Sequence, residues 1–167
     1  MTSGNPTELI MIQLNFNAFA FRRNTAGITQ EQSLMQPAPG GNCLNWIAGH
    51  VTGSRDGFLL AIGADPFPKD RYARYMRGGG GPITGPEEHV LPLAEIVADF
   101  ASVHERMFEG VATLSAGDLG KKAPFSPIDN PDETIGSLLA GLVFHESYHI
   151  GQTGLLRRLV GLGGAIA

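Results

Sequence analysis

The chain has 167 residues, 43% of them hydrophobic and only 17% charged, with a formal net charge of −4 and a pI near 5.7. That length suits one domain (1–167) with a sizeable core, and the acidic balance offers no global attraction to nucleic acid or an anionic membrane. A lone cysteine, Cys43, excludes an intramolecular disulfide framework and fits a reducing cytoplasm.

The first apolar run, Leu9 to Phe21, is followed by Arg22 and Arg23, not preceded by basic residues, and Gln13, Asn15 and Asn17 interrupt it. It therefore reads as a helix, roughly Thr7 to Arg23, and not as an export signal or a membrane span. Two apolar stripes run along it: Leu9, Ile12, Phe16, Phe19 and Ile10, Leu14, Ala18, Phe21. A helix apolar on two sides needs burial on both, so one stripe is expected in the core and the other against a second subunit of a homodimer.

Thr25 to Gly41 is a connector with a short helix at Thr29 to Met35, broken by Pro37, Pro39, Gly40 and Gly41. Asn42 is placed to cap a second helix, Cys43 to Ile62, which carries His50. Trp46 and Ile47 precede that histidine on its face, and the small residues Gly53, Ser54 and Gly57 follow it. They signal either a close helix approach or open space above His50.

The next connection, 63–91, is far longer than the two to eight residues usual between bundled helices. Arg71, Arg74 and Arg77 alternate there with Tyr72 and Tyr75. Arg71 and Arg74 are candidates for gripping the carboxylate or phosphate of an acidic cofactor, against the plainer reading of a solvated charged face. Gly78 to Gly81 form no phosphate loop, because no lysine and hydroxyl residue follow them.

A third helix, Pro92 to Leu114, has the stripe Leu93, Ile96, Phe100, Val103, Met107, Val111, Leu114. His104 at its edge and His89 before it read as surface groups. After the connector Ser115 to Asn130, a fourth helix runs from Thr134 to Val160, with Asn130, Pro131 and Glu133 as start signals and Gly161 as the stop. Its core stripe includes Leu138, Leu142, Thr153 and Leu156, and is interrupted by His145 and His149. Residues four apart on a helix have Cβ atoms about 5–6 Å from each other, so both imidazoles can converge on one ion. Four amphipathic segments without a strand pattern point to an all-α four-helix bundle with long crossover connections.

The letters HESYH at 145–149 match HExxH, but Gln152 and Leu155 stand where the extended peptidase motif needs Gly and His, and no acidic residue follows Glu146. A metallopeptidase is therefore disfavoured. Together, NCLNWIAGH at 42–50 and HESYHIGQTGLLRRLVGL at 145–162 resemble the DinB-like family, also called YfiT-like metal-dependent hydrolases. The resemblance implies a four-helix bundle in which His50, His145 and His149 hold one divalent ion, zinc or nickel, with a coordination position left open. It implies further that the ion activates a water or a low-molecular-weight thiol toward a small-molecule substrate, as in thiol S-transferases and hydrolases. Glu146 is then a candidate general base or a support for the ligands, against the plainer reading of a surface glutamate, and Gln152 is placed to hydrogen-bond a ligand or only a backbone group.

Overall fold

The computed structural model describes residues 7–164. Four long helices dominate: α1 Glu8–Thr25, α2 Leu44–Ala61, α3 Leu93–Ala112 and α4 Ile135–Leu159. Short helices at Gln30–Ser33 and Ala116–Leu119 and a 3-10 helix at Lys69–Tyr75 sit in the connections. The fold is an all-α bundle, and no helix among the described residues is long and apolar enough to cross a membrane.

Side-chain contacts set the helix directions. Asn45 and Arg55 of α2 donate to the carbonyls of Leu91 and Phe100, so α2 and α3 run parallel. Phe21 of α1 stacks on Phe100 while Asn15 meets His104, so α1 and α3 are antiparallel. Asn17 accepts from the Ser147 hydroxyl and Asn24 donates to Thr153, making α1 and α4 parallel. Consecutive helices that run parallel require the chain to return along the bundle. For the 18 residues of α2 that is about 27 Å, which is why the connection 63–91 is long.

The core follows the sequence periodicity where that periodicity is cleanest. Leu93, Ile96, Phe100, Val103, Met107 and Val111 of α3 are all buried. On α1, Leu14 and Phe21 enter the core, whereas Leu9, Ile12, Phe16 and Phe19 face away from the bundle.

The returning connection lies on α2 as a strap. A 3-10 helix has three residues per turn, so Tyr72 and Tyr75 share one side, and both are fully buried. The Tyr72 hydroxyl donates to Asp99 (2.7 Å); that of Tyr75 donates to Asn45 Oδ1 (3.1 Å) and accepts from the Leu91 amide (2.7 Å). Two small residues of α2, Gly49 and Gly53, serve this approach, whereas Gly57 lies against Phe125 and Leu142. A Cβ on Gly49 would lie 2.3 Å from the Tyr75 ring, and one on Gly53 would lie 2.7 Å from Tyr72 Cβ.

The starts of two helices differ from the sequence expectation. The cap of α4 is Thr134, whose hydroxyl accepts from the Ser137 amide while the Ser137 side chain returns the bond. Asn130 caps the preceding turn at Asp132, and Glu133 accepts from the Ser137 hydroxyl. The cap position of α2 is Cys43, without a side-chain bond, in place of Asn42.

Candidate metal centre

Because α2 and α4 run antiparallel side by side, His50 from α2 falls between His145 and His149, one turn apart on α4. One nitrogen from each ring lies within 4.8 Å of the others. The ring centroids are 5.1 Å apart for His50 and His145, 4.8 Å for His50 and His149, and 4.6 Å for His145 and His149.

Two of the three rings are oriented from behind. His50 Nδ1 is 2.8 Å from the Tyr75 backbone carbonyl, and His149 Nδ1 is 2.8 Å from Gln152 Oε1. A carbonyl oxygen only accepts, so each Nδ1 carries the proton and each Nε2 directs its lone pair toward the other rings. His50 Nε2 lies 3.2 Å from His145 Nε2. Either an Nε2–H of His145 donating to His50 or a cation shared by the two nitrogens suits that distance, and three imidazoles fit a shared ion.

The electrostatics agree. Burial holds the His50 pKa down to about 4, against the opposing pull of the Tyr75 carbonyl, with a smaller contribution from the other two histidines. Burial, then His149, likewise lowers His145. Both are neutral near pH 7, the form a metal ligand must take. Trp46 stacks on His50 at 4.8 Å and Tyr148 meets His149 edge-on at 5.2 Å. All three histidines are only partly buried, so the centre has a solvent-facing side.

Glu146 does not stand where the HExxH reading puts it. Successive helical residues point about 100° apart, so next to His145 it turns into the bundle, where it is 3% exposed. There Arg55 grips both of its oxygens, Nε at 2.8 Å and Nη2 at 3.0 Å. Arg55 also donates to the Phe100 carbonyl at 2.7 Å and lies 3.3 Å from the centroid of the Phe100 ring. Both oxygens of this carboxylate are taken up by the Arg55 guanidinium in the bundle interior. Below it, the space bounded by Ser54, His145 and Glu146 is a cavity of about 10 Å3, no more than one water occupies.

Arg71 and Arg74 also belong to the scaffold. Arg71 pairs with Glu95 and, at 3.2 Å, with Asp99. Arg74 pairs with Glu87 and donates to the Gly81 carbonyl at 2.9 Å. They pin the strap to α3 and to the loop beyond it, and the partners observed for them are acidic side chains and loop carbonyls. What the sequence reading missed is Arg55 and the Tyr75 carbonyl; the tyrosine's spacing from Tyr72 was the available signal.

A family model described as the DinB superfamily matches residues 13–153. The chain belongs to the DinB superfamily. No curated protein matches it. Within this DinB-superfamily chain the matched span contains all three histidines and Gln152, whose contact with His149 makes it a positioning residue. Replacing Gln152 by leucine is expected to weaken divalent-ion binding about 10–100-fold in a competition titration, while Gln152→Glu, which keeps an acceptor, stays near the parent. Parent affinity in the leucine variant would remove that role.

Proposed function

We propose that this DinB-superfamily protein binds one divalent ion, zinc or nickel, through His50, His145 and His149, and is a metal-dependent low-molecular-weight-thiol S-transferase or hydrolase. The observation that carries the reading is the convergence of three imidazole nitrogens within 4.8 Å, from two helices. The outward Nδ1 bonds of His50 and His149, which leave Nε2 free as a ligand, strengthen it. A bound ion with an open position supplies Lewis-acid chemistry, lowering the pKa of a thiol or water so that a nucleophile exists near pH 7. Burial keeps His50 and His145 neutral, the Tyr75 carbonyl and Gln152 fix the His50 and His149 rings, and Trp46 and Tyr148 pack against them.

A second reading, a metal-binding bundle without turnover, draws on the closed packing around Gly49 and Gly53. Metal content separates both from an empty bundle. Elemental analysis of protein purified without an affinity tag is expected to find about one equivalent in the parent and none in His50→Ala or His149→Ala. No metal in the parent, even after incubation with Zn²⁺ or Ni²⁺, would sink the proposal. With metal in place, a metal-dependent conversion of an electrophile by glutathione, mycothiol or bacillithiol supports the transferase, metal-dependent hydrolysis supports the hydrolase, and neither supports the second reading.

A further inference from the structure

Among the described residues, nothing covers the outer face of α1 and α4. Leu9 is 73% exposed, Phe16 69%, Phe144 71% and Leu155 60%, with Ile12 and Phe19 continuing the α1 stripe. An aromatic side chain presents about 150–250 Å2, so these six residues leave on the order of 700 Å2 of apolar surface uncovered. The largest patch on a typical monomer is about 300–600 Å2, whereas each partner of a stable interface contributes about 800 Å2. Phe16 of α1 and Leu155 of α4 line a groove of about 430 Å3 between the two helices, together with Ala20, Gly151 and Gly154.

We infer that this face is a two-fold interface with a second copy of the chain, in which the two α1 helices pack antiparallel. Three features select that occupant. The stripe at positions 9, 12, 16 and 19 has spacings of 3, 4 and 3, which read the same in either direction, so a reversed copy presents matching ridges. In that register Leu9 of one copy opposes Phe19 of the other, and Ile12 opposes Phe16. The charges match as well, because Glu8 lies in the first turn of α1 and Arg22 and Arg23 in the last. Reversal brings each glutamate within a turn of the other copy's arginines. A lipid surface fits less well, since a membrane-binding helix carries a basic rim, and here both signs rim the stripe on a chain of net charge −4.

Sedimentation of the metal-free protein at micromolar concentration tests this independently of the histidine site. The parent is expected to be a dimer, and Phe16→Asp to raise the dissociation constant at least about 100-fold while the circular-dichroism melt of the monomer is kept. Glu8→Arg should weaken the dimer, and adding Arg22→Glu and Arg23→Glu should restore it. A monomeric parent, whether or not it binds lipid vesicles, would overturn the interface, as would a dimer indifferent to Phe16→Asp. If the reversed charges fail to restore a dimer weakened by Glu8→Arg, the antiparallel arrangement is wrong.

Discussion

Replacing Arg55 by alanine is expected to cost about 3–5 kcal/mol of stability, because it strands the Glu146 carboxylate in the middle of the bundle. Arg55 is fully buried and Glu146 nearly so, so water cannot solvate what remains. For a chain of this size the melting midpoint should fall by about 10 °C. The cause is distinguishable from simple loss of bulk. Replacing both members, Arg55→Met with Glu146→Leu, removes the charge together with its partner and should recover much of the loss. A melt of Arg55→Ala within about 1 kcal/mol of the parent would mean that the pair does not hold α2 to α4. Glu146→Gln adds the functional arm: it is expected to be destabilised yet to bind an ion as the parent does. Parent stability with lost turnover would instead restore Glu146 as a base.

Gly49→Ala is expected to destabilise the protein although alanine is the better helix former by about 1 kcal/mol. The added methyl meets three atoms of the Tyr75 ring at 2.3, 2.5 and 2.5 Å, and that ring is held on both sides of its hydroxyl. Overpacking of this kind costs about 1–3 kcal/mol, and the displaced strap carries the carbonyl that orients His50, so divalent-ion affinity should fall with stability. Gly141→Ala on α4 is the control. Nothing lies within 4 Å of its added methyl, so the same exchange there should stabilise by about 0.5–1 kcal/mol. Denaturant melts of the two variants shifting in the same direction would refute the close approach of strap and helix.

How much of this could be read from the sequence depended on whether one periodicity governed a segment. On α3 a single apolar stripe at 3.6-residue spacing faced a single core, and the reading matched the buried set up to Val111, with Leu114 beyond the helix and only partly buried. The two stripes of α1 were equally legible, but periodicity does not say which faces inward; the stripe with Leu14 and Phe21 does. The pair His145 and His149 was visible as a spacing, whereas the contribution of His50 came through family likeness, because no local rule spans two helices. Arg55 went unread because an arginine within a helix is ordinarily at the surface, and only its tertiary partners Glu146 and Phe100 reverse that. The strap was obscured by its charges. Arg71 and Arg74 dominate its letters, while the tyrosines three apart, which a 3-10 turn places directly in line, decide how it packs.

The distance along the chain between His50 and His145 has a consequence for the unfolded protein. The two are 95 residues apart, on helices that are not neighbours in sequence. In the unfolded chain an ion held by both would have to close a loop of that length, and the entropy cost of closing a loop rises with its size. The ion would therefore be released as the chain unfolds, and its binding free energy would add to the stability of the bundle, whose helices bring the rings together at no such cost.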